Sequence, residues 1–276
     1  MRDWLVVADD RTGAFEVAGL FAEIVGAPSA CTVAELPDGS GVVDIGSRAM
    51  DAERAATTAA ALDAAAVRWA GHKIDSTLRG NWAHELRARQ AASGRRVVLL
   101  PGWPELGRTC VGGVVHVHGE ALGAVRAHLP EADLVGDAAA LAEWWSGTGR
   151  VAVCDVPDTE SLHSLAAELA AHDPAEVLVA GPAGALAVVF GAAFGAHVGG
   201  ERAPRARQVV EHPLLVVCGS ANDVSHTQVA RLQAAHPSVD VLVVPPRDGA
   251  VTDAPAQALA RDALARLADG VHATVV

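Results

Sequence analysis

The chain has 276 residues, a formal net charge of −12, 51% hydrophobic residues and 20% charged residues. That is enough apolar surface for one large or two modest α/β domains, and it excludes a disordered chain. The acidic balance argues against nucleic acid or an anionic membrane as the main partner, since both call for a basic surface. In chain order, Trp4–Ala8 reads as a buried strand, Thr12–Val25 as a helix, Val42–Ile45 as a strand and Asp51–Ala70 as a helix. A short strand then leads into Lys73, a helix begins near Trp82, and Val97–Leu100 is a strand stopped by Pro101. Further strands fall at Val151–Cys154, Val177–Ala180, Leu214–Cys218 and Val239–Val244. Helices fall at Thr159–Ala171, Ala183–Phe194, Asp223–Ala235 and Ala254–Ala268. Short apolar runs without alternation suit parallel strands covered on both faces, and strand–helix alternation predicts a wound α/β fold. The Gly- and Pro-bearing stretch Gly199–Pro213 reads as a linker.

No run of about 20 apolar residues is free of charge, so no membrane span is expected. Met1–Trp4 enters the first strand directly, which predicts no leader and a cytoplasmic protein. Cys31, Cys110, Cys154 and Cys218 are far apart and form no paired motif, as expected of small buried hydrophobes in a reducing compartment. Of the 21 basic residues, Lys73 is the only lysine. An ammonium is a compact point charge that the flat guanidinium fork does not replace everywhere.

Four stretches carry chemistry. In Val7–Ala14 an apolar strand ends in Asp9 and Asp10, and Thr12–Gly13 opens a helix. Acids beyond the carboxyl end of a parallel strand can orient hydroxyls, hold a cation or take a proton, or they can simply cap the helix. Lys73–Asn81 packs Lys73, Asp75, Ser76, Thr77, Arg79, Gly80 and Asn81 into nine residues before a helix, a setting suited to a carboxylate or phosphate. Pro101–Gly113 is a long Pro- and Gly-fixed loop presenting Arg108 and Thr109. It leads to His116 and His118, read as alternate residues of one strand facing one side. A third metal ligand for them is not identifiable, and no metal site is assigned. Cys218–Asp223 has a strand–Gly–Ser–helix pattern that suits a phosphate. The Walker and dinucleotide glycine patterns are absent.

Together these stretches resemble the four-carbon acid sugar kinase family. Ala8–Ala14 matches its Ala-Asp-Asp-x-Thr-Gly-Ala start, and Lys73–Asn81 matches its Lys-x-Asp-Ser-Thr-x-x-Gly-Asn stretch. Pro101, Pro104, Gly107, Arg108 and Thr109 match its Pro-x-x-Pro-x-x-Gly-Arg-Thr loop, Ser47–Arg48 its Ser-Arg, and Gly219–Ser220 its Gly-Ser. The resemblance implies a parallel-sheet, three-layer α/β/α acid-sugar domain over residues 1–200 and a partial α/β nucleotide domain over 213–276. It also implies ATP- and Mg²⁺-dependent phosphorylation of threonate, erythronate or an oxo-tetronate. By the same resemblance Asp10, Asp75 and Lys73 are catalytic. Asp9, Ser47, Arg48, Ser76, Thr77, Arg79, Asn81 and Arg108 bind substrate, and Gly219 and Ser220 bind nucleotide. Lys73 and Arg79 are assigned to the carboxylate or transferring phosphate, and Asp10 or Asp75 to the proton.

Two departures from the family stand out. Glu16 stands at a position usually held by a shorter acid, and the family's later Gly-Gly-Glu/Asp-Thr segment has no counterpart before Val276. A sugar-acid-binding or regulatory protein without autonomous phosphoryl transfer is therefore a second expectation, and a short-form enzyme with changed chemistry a third. A homodimer paired through a sheet edge at Ala273–Val276 is also expected.

Overall fold

The computed structural model describes residues 2–26, 29–64, 67–195, 214–218, 223–242, 253–268 and 273–275. The chain divides into two compact units, Met1–Glu201 and Arg202–Val276. The Gly199–Pro213 linker lies outside the described residues.

In the first unit the elements run β1 (Arg2–Ala8), α1 (Arg11–Val25), β2 (Ala30–Val33), β3 (Gly41–Asp44), α2 (Ala52–Ala61), β4 (Val67–Lys73), α3 (Trp82–Ser93) and β5 (Arg96–Leu99). A small antiparallel meander follows: β6 (Arg108–Val111), β7 (Val114–Val117) and β8 (Glu120–Ala124). The unit closes with β9 (Asp133–Val135), α4 (Ala138–Ser146), β10 (Val151–Cys154), α5 (Thr159–Ala170), β11 (Val177–Gly181) and α6 (Ala183–Phe194). The eight main strands form one parallel sheet in the order β2-β3-β1-β4-β11-β5-β10-β9. This is the expected α/β architecture.

Strand alternation splits the core into layers. Trp4, Val6, Ala8 and Trp69 face α1, α4, α5 and α6, while Ala70 and Leu178 face α3 and the meander. Leu5, Val7 and Val43 pack with Ala59 of α2. An aromatic ladder joins the first layer: Trp4–Phe21 and Phe21–Phe190 have centroids 4.8 Å apart, and Trp69–Phe190 5.8 Å. Such pairs add about 0.5–1.5 kcal/mol each beyond area burial. Gly71 makes room for the ladder, since a Cβ there would stand 2.8 Å from Val6 Cγ2 and 3.3 Å from Phe190 Cζ.

Three expectations change. The helix over Asp51–Ala70 stops at Ala61, and a 3₁₀ turn over Leu62–Ala64 precedes β4. Alanine favours helix locally, but the fully buried Trp69 and Ala70 pair with β1 and β11, and tertiary pairing overrides propensity. His118 is not on a strand with His116. It follows β7 with φ 51°, and its amide donates to the Gly107 carbonyl at 2.7 Å. The third concerns the second unit, where β12 (Leu214–Val216), α7 (Asp223–Ala235), β13 (Val239–Val241), α8 (Asp253–Ala268) and β14 (Ala273–Val275) give a parallel sheet ordered β12-β14-β13. The strand Ala273–Val275 is thus central rather than an edge open to a second subunit.

Candidate functional site

The cleft lies beyond the carboxyl ends of β1 and β4, where loops leave an open parallel sheet. Asp10 caps α1, its Oδ1 accepting the Gly13 amide at 2.8 Å. Capping uses one acid, and Asp9 does something else. It is fully buried and receives Arg48 in a bidentate pair, Nε to Oδ2 at 2.6 Å and Nη2 to Oδ1 at 2.9 Å. Arg48 Nη1 also reaches Asp10 Oδ2 at 3.1 Å and Asp75 Oδ1 at 3.2 Å. The Asp9 bond, with all three carboxylates nearby, holds the Arg48 guanidinium well above its ordinary value.

Asp75 is equally engaged. Arg79 grips it through Nε and Nη2 at 2.9 Å each, and Oδ2 accepts the Thr77 hydroxyl at 2.5 Å and amide at 3.1 Å. Burial alone would raise this carboxyl, but the Arg79 and Thr77 bonds and Arg48 outweigh it and hold it far below the ordinary carboxylate range. The loop bends sharply to do this, with Leu78 at φ 59° and Gly80 at φ 87°. A Cβ on Gly80 would also stand 2.9 Å from Asp9 Oδ2.

Asp10, Thr12, Gly13, Glu16, Arg48, Lys73, Asp75, Ser76, Arg79, Trp103, Arg108 and Pro182 line a cleft of about 150 Å³. Drug-sized sites run to about 300–1,000 Å³, so this one suits a small molecule. Lys73 is buried at the end of β4 and lies over the first turn of α1; a Cβ on Gly13 would stand 2.5 Å from its Nζ. Among the described residues neither Lys73 nor Arg108 forms an ion pair, and Arg108 Nε is buried without a partner. Glu16 faces them. Crowding raises its carboxyl above the ordinary value despite the opposing pull of Lys73 and Arg108.

Four cations and three carboxylates therefore line the cleft, with Asp9 buried behind Arg48. Arg48 and Arg79 are spent on Asp9 and Asp75, which leaves Lys73 and Arg108 as the cations able to meet an anion. Arg79, expected beside the substrate carboxylate, lines the cleft and also braces Asp75. Asn81 and Ser47 do not line the cleft. The Asn81 amide donates to the Ser47 and Met50 carbonyls at 2.9 Å each, fixing the turn that carries Arg48, and Ser47 is fully buried. Thr77 serves Asp75. Gly219 and Ser220 lie outside the described residues.

Glu16, Trp103 and Pro182 were not among the expected site residues. For Glu16 the signal was its spacing from Asp10 on α1; for Trp103 it was the flanking prolines. Gly184 on the first turn of α6 has no side chain where the Trp103 ring lies. Among the described residues no three histidines, cysteines or acids converge as metal ligands.

Residues 4–127 match the family model described as a sugar-binding N-terminal domain. Over 285 aligned positions the chain is 32% identical to the D-threonate kinase of Cupriavidus necator, covering 88% of this chain and 66% of that protein. The chain belongs to the four-carbon acid sugar kinase family.

The match spans just under two thirds of that relative's length. Solved structures agree on the fold of this kinase family. A Salmonella typhimurium protein described as a putative tRNA synthase superposes with a TM-score of 0.73 at 20% identity, over 99% of this chain and 73% of its own. A Bordetella bronchiseptica domain of unknown function, a domain-swapped dimer with bound citrate, gives 0.60 at 23% identity over 100% of this chain and 73% of its own.

Proposed function

We propose that this chain recognises a four-carbon sugar acid of the D-threonate type and serves its ATP-dependent phosphorylation. The observation that carries this reading is the pair Lys73 and Arg108, two cations without ion-pair partners among the described residues, in a small cleft otherwise neutralised by its own salt bridges. A sugar acid brings one carboxylate and several hydroxyls. Lys73 and Arg108 receive the carboxylate, and Asp10, Ser76 and Thr12 address the hydroxyls.

The proton released from the attacking hydroxyl needs an acceptor. Asp9 and Asp75 are saturated by arginines, and the depressed Asp75 carboxyl is a poor base. Asp10 orients the hydroxyl, and Glu16, the acid with open lone pairs and a raised proton affinity, accepts the proton. MgATP supplies the phosphoryl group. Gly219 and Ser220 remain the proposed nucleotide contacts, within a nucleotide-binding unit over residues 213–276, and the protein works in the cytoplasm as a homodimer. Because transfer to a hydroxyl runs through a loose transition state, positioning by Lys73, Arg108 and Asp10 contributes more than the base does.

The test is ADP release from MgATP with a panel of four-carbon sugar acids. Turnover with one acid supports the reading; neither turnover nor binding with any of them overturns it.

A further inference from the structure

Behind the cleft, on the α3 side of the sheet, lies a chain of polar groups of which Ser47, His72, Glu85 and Arg89 are fully buried. Asn81, Glu85 and Arg89 follow one another at i, i+4 and i+8, so they share one face of α3. Arg89 is fully buried. It pairs with Asp63 through Nε and Nη2 at 2.9 Å each and donates to the Gly71 carbonyl at 2.7 Å. Its Nη1 lies 3.4 Å from His72 Nδ1, and His72 Nε2 lies 3.0 Å from Glu85 Oε2. An Arg89 N–H facing Nδ1 leaves Nε2 as the ring nitrogen that points a proton at Glu85. Ser47, fully buried on the turn that carries Arg48, favours the ionised form of the same Glu85 carboxylate. Burial would raise that carboxyl, but the His72 and Ser47 contacts hold it below its ordinary value. Ser47 Oγ, His72 Nε2 and both Glu85 oxygens are buried without a well-formed hydrogen bond among the described residues.

Buried polar groups this poorly aligned are costly for a core that an apolar side chain could fill. Their sequence neighbours supply a reason to keep them. Ser47 immediately precedes Arg48, and His72 immediately precedes Lys73. Strand alternation sends His72 to the α3 face and Lys73 to the α1 face, where the cleft lies. One carboxylate therefore touches both residues that anchor cleft cations.

We propose that Glu85 is a positioning residue. By bridging Ser47 and His72 from behind the sheet, it sets Arg48 and Lys73 in register with each other. That this register serves a sugar acid rests on the function proposed above; the register itself does not. Glu85→Gln keeps the shape but removes the charge and replaces one of the two acceptor oxygens with an NH2 donor. Ser47→Ala frees Glu85 to swing away from His72. Asp63→Asn cuts the far end of the same network, which meets His72 only through Arg89 and leaves the Glu85 carboxylate in place.

Because Lys73 is the only lysine, protein labelled with ζ-¹⁵N-lysine has one side-chain ammonium signal. The experiment follows that signal through a pH titration, with D-threonate affinity and thermal midpoint measured alongside. Glu85→Gln and Ser47→Ala are expected to displace the Lys73 titration and to weaken D-threonate binding about tenfold, while Asp63→Asn lowers only the thermal midpoint. Where Glu85→Gln does not fold, Ser47→Ala decides alone. If Lys73 titrates as in the wild type in both variants, the network only stabilises the core and the proposal fails. A wild type that binds no D-threonate would sink the proposed function instead, and the Lys73 signal would still judge Glu85.

Discussion

Arg48 Nε stands 2.6 Å from Asp9 Oδ2, and this bond organises the cleft. Asp9 is fully buried and the Arg48 side chain is 25% exposed, so the pair is largely shielded from water. The bond ties the loop after β3 to the end of β1, and through Arg48 it collects Asp10 and Asp75 as well. Removing one partner of a buried pair costs about 3–5 kcal/mol, because the other charge is left uncompensated. Asp9→Asn should therefore lower unfolding stability by about 3 kcal/mol in urea, far more than the loss of an exposed salt bridge such as Arg266–Asp262.

Lys73 and Arg108 should behave in the opposite way. Neither has an ion-pair partner to abandon, so Lys73→Ala and Arg108→Ala should keep the fold and lose sugar-acid affinity by at least tenfold each. Charge-assisted hydrogen bonds are worth about 1.5–3 kcal/mol, in line with that loss. Lys73→Arg should not restore binding, since the space over α1 is cut to an ammonium. Calorimetry on each variant reads this directly.

Gly13 provides a separate check on the same geometry. A methyl group there would stand 2.5 Å from Lys73 Nζ and 2.7 Å from Asp10 Oδ1. Alanine inside a helix ordinarily gains about 1 kcal/mol over glycine. Gly13→Ala should nevertheless weaken sugar-acid binding by tenfold or more, with little loss of thermal midpoint, because the cost falls on the position of Lys73.

Asp75 makes a prediction about acid. Its carboxyl is held below the unfolded reference value of 3.8, so its ionised form is bound more tightly in the native state. Its contribution is complete above that value and disappears as pH falls through the lower native value. Wild-type stability should therefore drop below about pH 4 more steeply than that of Asp75→Asn, which starts lower and stays flatter. Urea midpoints from pH 2.5 to 7 decide the point.

Glu16 carries the reverse sign. Its native carboxyl is raised by burial, so ionisation costs stability as pH rises above the ordinary value of 4.5. Glu16→Gln should be slightly more stable than wild type at neutral pH, with the difference vanishing in acid. In the proposed role it should lower kcat by 10²–10⁴-fold, the usual range for a proton-transfer group, and abolish the acidic limb of the pH–rate profile.

Much of this arrangement was legible in sequence because motif and strand end coincide. Ala8–Asp9–Asp10 and Lys73–Ile74–Asp75 each place acids or cations just past an apolar run, where a parallel sheet opens. The pairing among them was not legible. Nothing in residue type says that Arg79 braces Asp75 while Arg108 remains open; that follows from Leu78 and Gly80 turning the loop back on itself. β4 was partly hidden by the alanines ahead of it, and the meander β6–β8 by the reading of Pro101–Gly113 as one loop. The Gly112–Gly113 pair, with φ of 59° and 72°, is its hairpin turn. The stripe Asn81, Glu85 and Arg89 was present in the i, i+4, i+8 spacing, but charged residues at that spacing ordinarily mark a solvated face.

In the proposed function one small cleft receives a sugar acid on Lys73 and Arg108. The most direct test is calorimetric titration of the wild type and Lys73→Ala with D-threonate. The account predicts saturable one-to-one binding to the wild type and loss of at least tenfold in the variant, with an unchanged thermal midpoint. Equal affinity for both proteins, or heat without saturation in the wild type, would contradict it.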